Sequence, residues 1–142
     1  MIYLANAFSP SMLPKLPSDV EFLSVDIKEF CQAVNRLDVN AIGHQGTVDL
    51  VNTLCGSNLK VNRISINANI GDEIYIIALS LRLEEGKILK SDEIQKLYEE
   101  GKIKFVKAKV YGPILKELSE CGGVCDEATY DTLAYRAKVK EQ

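Results

Sequence analysis

A single histidine, His44, stands between glycines in Gly43-His44-Gln45-Gly46, where a short strand hands over to a helix. Free backbone N–H groups and the helix dipole make such a junction an anion site, so an imidazole placed there can meet a phosphate. An RNA phosphodiester is cut without metal when its 2′-hydroxyl attacks phosphorus in line and a general acid protonates the departing 5′-oxygen. Imidazole suits that task, because an unperturbed one is part-protonated near neutral pH and such help is worth roughly 10²- to 10⁴-fold. Arg82 and Glu85, three apart beyond an apolar strand, are placed to hold a phosphate and to orient or reprotonate the histidine. From spacing alone, a solvated turn with an exposed ion pair is the commoner outcome for such a pair, and a lone histidine is commonly an exposed loop residue without a task. Asn6 and Ser9 follow the first strand and suit a ligand bound at its carboxyl end, although either can equally cap the next helix. Arg63 is a phosphate contact or simply part of the polar face of its strand.

Several elements must position these residues. Residues 2–5 read as a short β-branched and aromatic strand, followed by Ser9-Pro10, which predicts an N-cap and a short helix or turn over 10–16. A second strand near 20–25 leads into Asp26-Ile27-Lys28-Glu29, a capping box whose helix carries Ile27, Phe30, Val34 and Leu37 on one face. A brief strand at 39–42 ends at Gly43, and a helix from Thr47 presents Val48, Val51, Leu54 and Cys55 before stopping at Gly56. In 61–68, Ile64, Ile66 and Ala68 alternate with Arg63, Ser65 and Asn67, which predicts a strand with one buried face.

Residues 73–81 are nearly continuously apolar, the pattern of a central strand covered on both faces, and they deliver Arg82 at its end. Ser91 is expected to cap a helix with Ile94, Leu97 and Tyr98 that ends at Gly101. A strand over 102–110 follows, and its alternation slips between Phe105 and Val106, which predicts a bulge or an early strand end there. Beyond Gly112-Pro113, two further helices are expected around Cys121-Gly-Gly-Val-Cys125, the last over 127–140 with Asp126 as its cap. The sequence therefore predicts an α/β domain over 1–112, a mixed β-sheet flanked by helices, with a helical C-terminal extension over 113–142.

Composition narrows the partners. A chain of 142 residues with 46% hydrophobic and 26% charged residues is that of one ordinary globular domain. A net charge of −3 argues against coating duplex DNA, which needs a basic surface, but leaves room for a small anionic ligand in a local pocket. No run of about 18 apolar residues and no basic leader is present, so a cytoplasmic protein without a membrane partner is expected. Four cysteines, Cys31, Cys55, Cys121 and Cys125, are too scattered to demand a disulfide framework, and free thiols are expected. Cys121 and Cys125 lack a second ligand pair to complete a zinc site, so neither metal nor cofactor is expected.

Four segments taken in order carry a resemblance: Leu4-Ala5-Asn6-Ala7-Phe8-Ser9, Asn40-Ala41-Ile42-Gly43-His44, Val51-Asn52-Thr53-Leu54-Cys55-Gly56 and Arg82-Leu83-Glu84-Glu85-Gly86-Lys87. Over about residues 1–110 the chain resembles the viral ring nucleases that act as type III anti-CRISPR proteins, and their bacterial relatives. That resemblance implies a mixed sheet flanked by helices and a twofold homodimer with cyclic tetra-adenylate bound across its axis. It implies His44 as the catalytic residue, Arg82 and Glu85 lining the same site, Asn6 and Ser9 as ligand contacts, and Arg63 as a basic residue of the corresponding strand. Gly43, Gln45 and Lys87 complete the candidate ligand set. Leu81 departs from the family, where a glutamine precedes the arginine, and the extension beyond about residue 110 has no counterpart in its short viral members.

The reading favoured is an enzyme that opens the ring into linear di-adenylates ending in a 2′,3′-cyclic phosphate and thereby switches off messenger-activated defence. The segment 82–92, hinged at Gly86, is its candidate lid. A non-catalytic sponge or sensor for a cyclic nucleotide, or a protein-interaction domain with a vestigial pocket, would share much of the same sequence.

Overall fold

The computed structural model describes residues 1–82 and 89–112. The expected helices of the extension, the Cys121–Cys125 turn, Glu85, Lys87 and most of the candidate lid lie outside the described residues.

The apolar run at 73–81 becomes β4 (Glu73–Leu79), and it lies in the middle of a five-stranded sheet, where both faces are covered. With β1 (Ile2–Ala5), β2 (Asp19–Val25), β3 (Val39–Asn40) and β5 (Ile103–Gly112), the order is β2-β5-β4-β1-β3. β1 runs parallel to both β3 and β4, while β5 runs antiparallel to β4 and β2. The sheet is mixed, as expected.

Alternate residues of each strand enter two separate cores. On one face Leu4, Tyr75, Ile77, Ile103 and Phe105 pack against α1 (Ile27–Asn35), α2 (Gln45–Cys55) and α3 (Ser91–Glu99), which contribute Phe30, Ala33, Val34, Val48, Val51 and Ile94. The Phe30 and Phe105 ring centroids lie 4.4 Å apart at the centre of this layer, and burying each such ring contributes about 1.5–3 kcal/mol. On the other face Tyr3, Ala5, Ile74, Ile76, Ala108 and Val110 meet Ile66 and Ala68, with Phe8, Met12 and Leu13 alongside. All three helices therefore cover one face, and irregular chain covers the other.

That division corrects two expectations. Residues 61–69 form no strand: Asn62 N–H donates to the Ile42 carbonyl at 2.9 Å and Ala68 N–H to the Met12 carbonyl at 2.8 Å. The alternation of Ile66 and Ala68 with polar residues arises because the segment lies across the sheet as a cover, while Ile64 remains 47% exposed. Neither the bulge nor the early strand end expected at Phe105–Val106 is present, since β4 pairs through it from Ile77↔Phe105 to Ile76↔Val106 without a shift and β5 continues to Gly112. The apolar residues simply change face there, Phe105 entering the helix side and Ala108 the other. The register shift lies instead between Asp19 and Val20, opposite Gly112 and Val110.

Local signals hold at most element ends. Asp26 Oδ1 accepts from Glu29 N–H at 2.7 Å and starts α1, and Gly56, with φ of 65°, ends α2 in the left-handed conformation that glycine adopts without a Cβ penalty. The short helix or turn expected over 10–16 is a 3₁₀ turn, Pro10–Met12. Lys90, not Ser91, occupies the N-cap of α3, where Glu93 reaches back to accept from Lys90 N–H at 3.4 Å. Cys31 of α1 and Cys55 of α2 are joined in a disulfide, against the expectation of free thiols. Nothing in a sequence separation of 24 announces this pair; the packing of the two helices brings it together.

Candidate functional site

Three parallel strands end on the same edge of the sheet: β1 at Ala5, β3 at Asn40 and β4 at Leu79. The chain leaves them into Asn6, Gly43-His44 and Arg82 respectively. By register Asn40 lies level with Tyr75 and Ala5 with Ile76, so β1 and β3 end almost together while β4 runs on three residues, about 10 Å, past the end of β1 to Leu79. The carboxyl ends of parallel strands are the customary ligand edge of an α/β sheet.

His44 is the N-cap of α2. Its side chain does what Ser, Asp or Asn usually does, with Nδ1 accepting from Thr47 N–H at 3.4 Å. The Thr47 hydroxyl lies 3.4 Å from the same nitrogen. An amide can only donate, so Nδ1 is the acceptor and the neutral ring carries its proton on Nε2. His44 is exposed, and among the described residues Nε2 has no hydrogen-bond partner.

Gly43 and Arg63 are brought together directly. Arg63 Nε donates to the Gly43 carbonyl at 2.9 Å, and a Cβ on Gly43 would stand 2.8 Å from Arg63 Cγ. Glycine is therefore needed for close approach, and the arginine fixes the backbone immediately before His44. Asn40 and Asn62 brace the same stretch: Asn62 Nδ2 donates to the Asn40 carbonyl at 2.8 Å, Asn40 Nδ2 donates to the Lys60 carbonyl at 2.7 Å, and Asn40 Oδ1 accepts from Ile42 N–H at 3.1 Å.

The remaining candidates are less convergent. Gln45 is exposed at the first helical position, and its amide donates to Asp49 Oδ1 at 2.8 Å. Ser9 caps the 3₁₀ turn, its Oγ accepting from Ser11 N–H at 3.4 Å, which is the capping alternative open to it from sequence. Asn6 is exposed and lines a cleft of about 490 Å³ with Ala5, Ser11, Ile64, Ser65 and Asn67. Neither His44 nor Arg82 lines that cleft; it adjoins the histidine loop through Ala41 and through Ile64, the neighbour of Arg63. Arg82 is exposed at the edge of the described chain, and Leu81 before it packs against the helix-side core.

Sequence reasoning missed Thr47, Asn40, Asn62 and the cleft residues Ser65 and Asn67. Of these only Thr47 carried a local signal, standing three residues after His44, the N-cap to N3 spacing of a side-chain cap. Among the described residues no three His, Cys, Asp or Glu side chains converge as a metal-binding group, and no helix is long and apolar enough to cross a membrane.

The chain is similar to several proteins of archaeal viruses. The chain is 44% identical over 113 residues to the uncharacterised protein ORF116 of Acidianus filamentous virus 1, covering 79% of this chain and 97% of that one. The uncharacterised protein ORF117 of Acidianus two-tailed virus is 32% identical over 93 residues, 64% of this chain and 80% of that one. The solved structure of B116 of Sulfolobus turreted icosahedral virus superimposes with a TM-score of 0.73 at 44% identity, over 76% of this chain and 97% of that one. A family model described as STIV B116-like matches residues 2–106, so the protein belongs to the STIV B116-like family.

Proposed function

We propose that this protein is a metal-independent ring nuclease that opens cyclic tetra-adenylate. The observation that carries the reading is the placement of His44 at the N-terminus of α2, with Nδ1 engaged by Thr47 and Nε2 left toward solvent. A phosphate seated there meets the positive end of the helix and a proton donor together. The 2′-oxygen forms its bond to phosphorus as the bond to the 5′-oxygen breaks. The 5′-oxygen takes its proton from Nε2 of the protonated ring, and the proton shed by the 2′-hydroxyl returns to the ring through solvent. The product ends in a 2′,3′-cyclic phosphate.

Arg63, already drawn to the Gly43 carbonyl, and Arg82, three residues beyond β4, supply the positive charge that this reading assigns to the phosphate. Glu85 and Lys87 follow Arg82 in the chain and complete the ligand set of the reading, with Asn6, Ser9, Gly43 and Gln45. The half-open cleft beside Asn6 and Asn67 offers polar amides and apolar walls of the kind a nucleobase needs. A ring of four equivalent nucleotides has twofold symmetry, and a C2 homodimer would present His44 to two opposite phosphodiesters. Acting within the cytoplasm of an infected cell, such an enzyme would remove the messenger of type III CRISPR defence.

The test is incubation of the full chain with radiolabelled cyclic tetra-adenylate in EDTA, with products separated by chromatography. Linear di-adenylate ending in a 2′,3′-cyclic phosphate is the expected product. Intact substrate at any enzyme excess would overturn the reading.

A further inference from the structure

Tyrosines apart, only two buried side chains among the described residues are polar, Thr47 at 3% exposure and Asp72 at 7%. Asp72 has evident structural partners in the Met1 ammonium at 2.9 Å and Asn69 N–H at 2.8 Å. The Thr47 hydroxyl has the His44 ring, at 3.4 Å from Nδ1. A threonine buried in the first turn of a helix needs a reason, because valine would fill the same space without a polar atom to satisfy.

The two donors of Thr47 are not equivalent. Its backbone N–H can serve Nδ1 only while that nitrogen is unprotonated. Its hydroxyl can donate to bare Nδ1 and, by rotating, accept from Nδ1–H once the ring is charged. A ring held by the amide alone would lose its partner each time Nδ1 is protonated; a ring held by the hydroxyl as well keeps one orientation through both states.

We infer that Thr47 is a positioning residue for His44: its hydroxyl engages Nδ1 in either protonation state and keeps Nε2 aimed outward as the nitrogen that exchanges a proton with the ligand. The catalytic consequence rests on the reading of the protein as a ring nuclease, whereas the ring geometry does not. When the protonated ring gives its Nε2 proton to the 5′-oxygen, the other proton stays on Nδ1, and the Thr47 hydroxyl accepts a hydrogen bond from it where the amide cannot. Proton return from the 2′-hydroxyl through solvent restores the starting ring.

Because His44 is the only histidine, its ring nitrogens give unambiguous signals in ¹⁵N NMR of the full-length protein. The neutral ring of the wild type is expected as the Nε2–H tautomer. Thr47→Val keeps the volume, branching and amide, so its neutral ring is expected to stay the Nε2–H tautomer, while its protonated ring loses the hydroxyl that accepts from Nδ1–H and is expected to show a faster-exchanging Nδ1 proton than the wild type. Single-turnover cleavage of cyclic tetra-adenylate should slow about tenfold or more, within the range a general acid supplies, while ligand affinity stays within about threefold. Thr47→Ser restores the hydroxyl and should recover both the slow Nδ1–H exchange and the rate. A wild-type neutral ring found as Nδ1–H, or a Thr47→Val protein matching the wild type in Nδ1–H exchange and rate, overturns the inference. If the wild type leaves cyclic tetra-adenylate uncut, the ring-nuclease reading falls, and the Nδ1–H exchange of wild type against Thr47→Val still decides whether the Thr47 hydroxyl holds the ring.

Discussion

The Cys31–Cys55 disulfide ties α1 to the C-terminal end of α2, the helix whose other end holds His44. Replacing both cysteines by serine removes the tie with little change in volume. With the partners 24 positions apart in sequence, the loop-closure entropy released to the unfolded chain corresponds to about 3.5 kcal/mol at 25 °C. For a domain of this size such a loss lowers Tm by roughly 10–15 °C. α2 is independently anchored through Val48, Leu50 and Val51, all buried, so His44 should stay in place below the new Tm and cleavage at low temperature should be unchanged. Calorimetry of the wild type and the double serine variant measures the shift. Peptide mapping without reductant should recover residues 31 and 55 as one cross-linked pair. Separate, fully alkylated peptides at both positions, or a double variant that melts with the wild type, would refute the assignment.

Gly43→Ala drives its Cβ to 2.8 Å from Arg63 Cγ, and overpacking of this kind costs about 1–3 kcal/mol; denaturant titration should show that cost, and show it relieved when Arg63→Ala is added. Burial raises the phenol pKa of Tyr3 and of Tyr75 above 10.0, with Asp72 and Glu73 respectively adding to the effect. The unfolded chain therefore loses these protons first, so stability is intact below pH 10 and falls as pH rises toward the folded values; alkaline unfolding curves check this, and a stability independent of pH above 10 would contradict it. Arg82→Ala should weaken ligand binding with a loss that shrinks at high salt, and Glu85→Gln should slow turnover more than binding. Wild-type behaviour in both would mark the 82–85 turn as a solvated connector.

The sequence signals that proved reliable were those with one physical cause. The unbroken apolar run of β4 has no reading but a strand covered on both faces, and the Asp26 and Gly56 ends rest on backbone chemistry complete within a few residues. The signals that misled had two. Alternation at 61–68 arises equally from a strand and from a segment lying across one, and only the partners of Asn62 and Ala68 tell them apart. The switch of apolar residues after Phe105 arises equally from a bulge and from a second core on the opposite face. At the site, the histidine, its glycine and the strand ends were legible because they are local. The Arg63–Gly43 bond and the cleft beside Asn6 join residues far apart in the chain, and no local pattern records them.

The central claim is that His44 supplies the proton that opens the ring. Its most direct test is the single-turnover rate of His44→Ala on cyclic tetra-adenylate, with ligand affinity measured on the same protein. A general acid acts mainly in the transition state, so the rate should fall by about 10²-fold or more while affinity stays within about tenfold. A variant that cleaves at the wild-type rate would contradict the claim.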